Sequence, residues 1–398
     1  MNPRVVDPVP LLADLIRIPS VNPMGRAVTG PEFYEGRLSD YLCRLFQEWN
    51  VPWERLEVAP QRANVLARWE GTPGAPVLLY DAHQDTVPAD GMVIPPFEPT
   101  ISRGRLFGRG ACDVKGGLAA MLAAFARLAQ TRPTPCATVV LSCTCDEEAT
   151  SLGIQHLTGA WSAAENCYRL LSRRPDYAVI AEPTQLDVVV AHRGAVRWKL
   201  HTRGRACHSS RPQDGVNAIY RMGRVLRELE AYAAALPASR PEHPLCGPAT
   251  LSVGLISGGS SVNVVPDACT IEIDRRVIPG ERREDAIPAV AEWLQERLDF
   301  PVTHEAPYVF SPPLDDDRNG PLSDRLLASI AAAAGPHRKI GVAYGTHASR
   351  VAQAGVPAVV FGPGDIAQAH TEDEWIDLEQ LQQATDIYAQ FAVDMAKL

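Results

Sequence analysis

APVLLYDA, residues Ala75–Ala82, is a short apolar run that breaks at once into the polar stretch His83–Pro88 (HQDTVP). Without alternation, a run of this length reads as a strand buried on both faces. The next segments keep the pattern. Gly116–Gln130 (GGLAAMLAAFARLAQ) has the Ala and Leu content of a buried helix, Thr138–Cys145 (TVVLSCTC) reads as a second strand, and Tyr177–Ala181 (YAVIA) as a third. Apolar strands separated by helices predict an α/β fold with a mostly parallel, twisted sheet flanked by helices.

Past this region the period changes. Ala195–Thr202, Ala249–Ile256 and Cys269–Val277 alternate apolar and polar residues, and the helical stretches Asn217–Ala235 and Glu284–Leu298 lie among them. That order predicts a compact α+β unit with one open sheet face. The α/β style returns after Pro301, with a helix over Leu322–Ala334, a strand over Pro357–Phe361 and a closing helix from Leu378 to about Met395. The expected division is therefore a catalytic domain over 1–192 and 304–398, interrupted by an inserted domain over 193–303.

The bulk properties narrow the function. At 398 residues two domains are the default, and 46% hydrophobic with 21% charged residues is ordinary globular composition. The net charge of −9 is spread along the chain with no basic stripe, which argues against a nucleic-acid or anionic-membrane partner. No apolar run is long enough to span a bilayer, and Met1–Pro10 has no signal-peptide pattern, so the expected location is the cytoplasm. The nine cysteines show no two-residue zinc-ribbon spacing; Cys143 and Cys145 read as strand packing. Gly108, Gly110, Gly116 and Gly117 do not make the G-x-G-x-x-G turn of a nucleotide site.

The chemistry collects at the carboxyl ends of the expected strands, where ligand sites of open α/β sheets form. His83 and Asp85 follow the first strand and Asp113 (GRGACDVKGG) precedes the Ala-rich helix. Glu147 and Glu148 (DEE) follow the second strand, Glu182 (AEPT) the third, and His370 (AHTEDEW) comes after the last. Carboxylates and imidazoles without thiolates suit zinc, with cobalt or manganese as alternatives, in a hydrolytic site. Asp113 is placed to bridge two ions about 3.5–4 Å apart. Neighbouring Glu147 and Glu148 point apart, so one can bind metal while the other takes a proton from water. Asp85 can orient the His83 imidazole. Each fragment alone is a common surface pattern; the whole set at successive strand ends is not.

These motifs, with HQD at His83–Asp85, resemble the co-catalytic metallopeptidase and deacylase family of acetylornithine deacetylase, succinyl-diaminopimelate desuccinylase, aminoacylase and carboxypeptidase G. The resemblance runs from Leu11 to the C-terminus. It implies two divalent ions per chain, one on His83, Asp113 and Glu182 and the other on Asp113, Glu148 and His370. Glu147 would be the general base for a metal-bridged hydroxide, with Asp85 as the histidine's partner and a cis peptide after Asp113. The inserted domain would be a lid that dimerises, and its His208 would hold the oxyanion. Asn263 and Arg275 match positions that hold substrate, Arg275 by its carboxylate, while Arg276 is expected to face away; Arg193 is a weaker match. Relatives carry an acidic residue in the Gly-Thr-Asp-Ala loop, whereas this chain reads Tyr344-Gly345-Thr346-His347, which leaves Thr346 and His347 as open substrate contacts. The implied substrate is a small N-acyl amino acid, with a dipeptide or carboxypeptidase substrate as the alternative and an inactive scaffold as the remote one.

Overall fold

The computed structural model describes residues 6–239 and 241–397, in two compact units. The first comprises residues up to Val190, Asp316–Ile340 and those from Thr346 on; the second comprises Ala191–Asp315 with Gly341–Gly345.

In the first unit an eight-stranded sheet runs in the order Trp53–Ala59, Arg62–Trp69, Thr138–Thr144, Val77–His83, Tyr177–Ile180, Ala358–Val360, Val188–His192, Lys339–Val342. The four central strands are parallel, as their apolar runs predict, with His83 paired beside Thr144 and Asp81 beside both Ser142 and Ile180. Antiparallel pairing begins on either side, with Ala358–Val360 against Val188–His192 on one of them. Trp53–Ala59 and Arg62–Trp69 form a hairpin that the sequence reading did not anticipate, and it attaches to Thr138–Thr144. The polar residues of WERLEVA mask its period.

Helix Lys115–Thr131 is buried along almost its whole length, from Lys115 to Leu128. Its two leading glycines are there for closeness. A Cβ on Gly117 would stand 2.9 Å from the Ala181 Cβ, and one on Gly116 2.4 Å from the Ala111 carbonyl oxygen. The helix packs with Pro8–Ile16 and Leu378–Met395, and Phe125 meets Phe46 of helix Gly36–Glu48 edge-on with centroids 6.1 Å apart. Tyr80 of the central strand donates to the Tyr388 carbonyl at 2.6 Å, and Tyr388 to that of Phe361 at 2.5 Å, which stitches the last helix to the sheet.

In the second unit an antiparallel sheet runs Thr250–Gly258, Ala268–Val277, Gly194–Arg203, Val302–His304, and Val309–Ser311 also pairs with Gly194–Arg203. Val196, Trp198, Leu200, Ile271 and Ile273 pack under helices Ala218–Ser239 and Ala286–Arg297, and the opposite face carries Arg197, Lys199, Glu272 and Asp274. That is the open-faced α+β unit expected. Its limits differ. The unit extends to Asp315 rather than 303, because Val302–His304 and Val309–Ser311 add to its sheet. No helix among the described residues is long and apolar enough to cross a membrane.

Candidate metal centre

His83 is the last residue of its strand and is buried. Its Nδ1 lies 2.9 Å from the backbone oxygen of Asp85. A carbonyl only accepts, so Nδ1 carries the hydrogen and Nε2 keeps the lone pair a metal needs. That Nε2 lies 3.1 Å from Asp113 Oδ1. The other oxygen of Asp113, Oδ2, lies 3.2 Å from His370 Nε2, which is also 3.3 Å from Glu148 Oε2. Asp113 therefore turns one oxygen toward each of two imidazoles. The ligand atoms of His83, Asp113 and Glu148 fall within 4.8 Å of one another. The peptide between Asp113 and Val114 is cis.

Electrostatics point to the same centre. Burial pushes Glu147 up to about 8, with Glu148 and Asp113 adding repulsion beyond the relief from His83. Burial, then Asp113, brings Glu148 to about 7 and holds Glu182 well above its ordinary value. Hydrogen bonds that His370 donates to Asp113 and Glu148 raise it to about 10. Burial alone would lower His83, but Asp113, Asp85 and Glu182 hold it well above the usual imidazole range. Glu148 Oε1 is buried with no hydrogen-bond partner. Crowded carboxylates short of positive charge, an orphaned oxygen and an all-oxygen-and-nitrogen donor set fit hard or borderline divalent cations.

Asp85 meets His83 through its backbone carbonyl and has a second set of partners for its carboxylate. Its carboxylate is 3.6 Å from His83 Nδ1 and accepts instead the backbone N–H of Glu147 at Oδ1, 3.0 Å, and of Glu148 at Oδ2, 3.1 Å. It fixes the turn that carries Glu147 and Glu148, while its carbonyl orients the imidazole.

Glu374 went unnoticed in the sequence because it sits among Glu372 and Asp373 with no pattern around it. In the structure it is buried. Its Oε1 accepts from the N–H groups of Cys112 at 2.8 Å and Asp113 at 2.9 Å, and its Oε2 from Gly110 N–H at 3.0 Å and Arg109 Nη1 at 2.7 Å. Four donors on one carboxylate hold the loop that presents Asp113.

His347 is buried, with Nδ1 2.8 Å from Asp81 Oδ2 and its ring 6.4 Å, centroid to centroid, from that of His83. Its Nε2 has no hydrogen-bond partner. Thr346 Oγ1 accepts the N–H of Ala348, at the start of helix Ala348–Gln353. In the second unit, His208 is exposed, its Nδ1 is 2.7 Å from Ser210 Oγ, and its strand bridge to Val264 brings it beside Asn263. Arg193 donates through Nε and Nη2 to the Cys246 carbonyl, at 2.8 and 2.6 Å.

The expected sidedness of the paired arginines is reversed. Arg275 shares the inward alternation of Ile271 and Ile273, is only 3% exposed and is paired with Glu281 at 2.7 Å. Arg276 is the one on the open face, beside Asp274 at 2.8 Å. The Arg275 guanidinium is therefore buried against the Glu281 carboxylate.

Comparison with known proteins agrees with this centre. The family described as peptidase family M20/M25/M40 matches residues 79–394. An acetylornithine deacetylase of Myxococcus xanthus is 31% identical over 333 residues, 83% of each chain. A probable succinyl-diaminopimelate desuccinylase of Staphylococcus aureus is 27% identical over 426 residues, 98% of this chain and 97% of that one. Among solved structures, a metallo-carboxypeptidase of the M20 family from Sulfolobus solfataricus superposes with a TM-score of 0.78 at 17% identity, over 98% of this chain and 99% of that one.

Glu147 at about 8 and Glu148 at about 7 hold protons near neutrality when no cation is present, as does His370 at about 10. Cations binding there must displace them. Zinc titrated into the metal-free protein at pH 7 is expected to release protons, read as a buffer-dependent heat in calorimetry. A heat independent of the buffer's ionisation enthalpy would contradict this charge state.

Proposed function

The chain belongs to peptidase family M20/M25/M40, and on that premise we propose that it hydrolyses the amide bond of a small N-acyl amino acid with two divalent metal ions, zinc first among them. The observation that carries this reading is the placement of Asp113, one oxygen toward each of His83 and His370, with Glu147 and Glu148 fixed on adjacent amides by Asp85. His83, Asp113 and Glu182 would hold one ion, and Asp113, Glu148 and His370 the other. Bound there, they would supply Lewis acidity and a water acidic enough to react at neutral pH.

The chain's own residues do the rest. Glu147 carries no metal in this assignment, and takes the proton of the attacking water as a new carbon–oxygen bond forms. It then passes that proton to the amide nitrogen as the carbon–nitrogen bond breaks, leaving a carboxylate and an amine. His208, with Nδ1 occupied by Ser210, keeps Nε2 for the developing oxyanion. Relatives named as a deacetylase and a desuccinylase favour the deacylase reading, and the metallo-carboxypeptidase fold keeps a peptidase substrate as the second.

Glu147→Gln is expected to keep two ions per chain by plasma mass spectrometry and to lose at least about a hundredfold in kcat on N-acetyl or N-succinyl amino acids. Parent activity should vanish on chelation and return with zinc or cobalt; chelation-resistant turnover would sink the reading, and cleavage of dipeptides alone would favour the second.

We assign the unpartnered Nε2 of His347 to the substrate. His347→Ala should then change kcat/KM by about tenfold or more, unequally across the substrate panel. An unchanged ranking with unchanged kcat/KM would return His347 to a packing role.

The second unit also supports a homodimer. Thr250–Gly258 is a sheet edge with Leu255 63% and Ile256 56% exposed, beside the exposed Tyr220 of helix Ala218–Ser239. An open apolar edge seeks a partner strand. Light scattering should give a dimer mass for the parent and a monomer for Leu255→Glu; a monomeric parent with full activity would refute this.

A further inference from the structure

Asn22 lies in the loop after helix Pro8–Ile16 and is fully buried. That loop is pinned on several sides. Ser20 Oγ donates to the Gln84 carbonyl at 2.7 Å, Thr86 N–H donates to the Ser20 carbonyl at 3.1 Å, and Asn22 N–H to the Thr86 carbonyl at 2.8 Å. Lys115, buried and pushed down to about 7 by desolvation, donates its ammonium to the carbonyls of Leu15 at 3.0 Å and Ile18 at 2.8 Å. The backbone of Asn22 is thus fixed along the segment that carries Asp85.

Its side chain spends every polar atom. Nδ2 donates one hydrogen to Asp85 Oδ2 at 2.8 Å and the other to Asp146 Oδ1 at 2.9 Å. Oδ1 accepts from Met24 N–H at 3.0 Å and from Arg62 Nη2 at 3.3 Å. Arg62 in turn reaches Asp146 Oδ1 at 3.0 Å and Glu35 Oε1 at 2.5 Å, and Glu35 Oε1 takes the N–H of Asp146 at 3.2 Å. A primary amide is the one neutral side-chain group that can place two N–H donors between two carboxylates from a single nitrogen. Aspartate has nearly the same shape and no donor, and alanine has neither.

The consequence falls on the turn that carries the chemistry. The Asp85 carboxylate holds the backbone amides of Glu147 and Glu148, and Asp146 is the residue immediately before them. Without the Asn22 amide, Asp146 would keep Arg62 and Asp85 the backbone amides of Glu147 and Glu148, but no donor would join the two buried carboxylates, and like charges repel. The turn would move with them, and a base and a metal ligand share it.

We propose that Asn22 is a positioning residue for the general base. It acts through Asp85 and Asp146 to set the directions in which Glu147 and Glu148 leave the strand end, a role that rests on the hydrolase reading above.

The test compares the zinc-loaded full chain with Asn22→Ala and the nearly isosteric Asn22→Asp on the N-acyl substrate the parent hydrolyses best. Both variants should lose at least about tenfold in kcat, with KM within about threefold and two ions still bound. Asn22→Asp should fall at least as far as Asn22→Ala, because shape is kept and only the donors go. The cobalt-loaded forms report geometry without turnover, and their visible absorption should shift in both variants, since the carboxylate direction at Glu148 changes. Parent-like kcat in Asn22→Asp, or cobalt spectra that match the parent's, would overturn the proposal. Should neither variant fold, Asn22→Ser keeps one donor and little bulk; kcat within about twofold of the parent would overturn the proposal equally. A parent without metal-dependent turnover would defeat the hydrolase reading instead, while the cobalt spectra would still decide whether Asn22 sets the turn.

Discussion

A single carboxylate, Asp113, divides its two oxygens between the imidazoles of His83 and His370. It is buried, and burial by itself would raise its pKa; the hydrogen bonds and charges of the two histidines reverse that and hold it lowered. For this to work, Asp113 must be aimed from outside its own side chain. Glu374 aims it, taking the N–H groups of Gly110, Cys112 and Asp113 together with Arg109. Helix Lys115–Thr131 begins immediately after and runs buried along the sheet, so the loop is anchored at its far end by packing. The glycines at 116 and 117 answer the same demand, because the helix start lies against the backbone of Ala111 and the side chain of Ala181.

The region around this centre holds more charge than a folded interior usually tolerates. Glu35, Asp85 and Asp146 are buried with one guanidinium, that of Arg62, and one carboxamide, that of Asn22. Unpaired buried charges cost several kcal/mol each, so this arrangement persists only where each oxygen is directed at a donor. Most are. Glu35 Oε2 is an exception, and burial followed by the Asp85 charge pushes that carboxyl up to about 8, where it is neutral at physiological pH. This mostly paired polar layer holds the turn that carries Glu147 and Glu148.

How far the sequence could be read is set by the reach of each feature's contacts. The central strands and the buried helix were legible because burial on both faces writes itself as an uninterrupted apolar run. His83, Asp113, Glu148 and His370 were legible because acids and imidazoles are out of place at the ends of such runs, and the structure draws them together. Asn22 and Glu374 were not. Their meaning lies in partners far along the chain, Asn22 with Asp146 across 124 residues and Glu374 with Asp113 across 261, and no local period records such an approach. Arg275 is a different case. The alternation Cys269, Ile271, Ile273, Val277 already places it inward, so its burial was legible from the strand's period alone.

The order of the chain adds a constraint of its own. Ala358–Val360 inserts between Tyr177–Ile180 and Val188–His192, two strands that precede it by well over a hundred residues. The large sheet is therefore incomplete until the chain has passed through the whole second unit and returned. His370 and Glu374 lie on that returning segment, and they meet Asp113 and Glu148 from far along the chain. Long-range closure of this kind carries a loop-entropy cost that only the completed packing repays. Closing the sheet, burying the last helix against Tyr80 and bringing His370 to Asp113 therefore all depend on the same returning segment. A chain that fails to return has no second imidazole for Asp113, no cradle for its loop and no complete centre. The contact of His370 with Asp113 exists only where the first unit's sheet has closed.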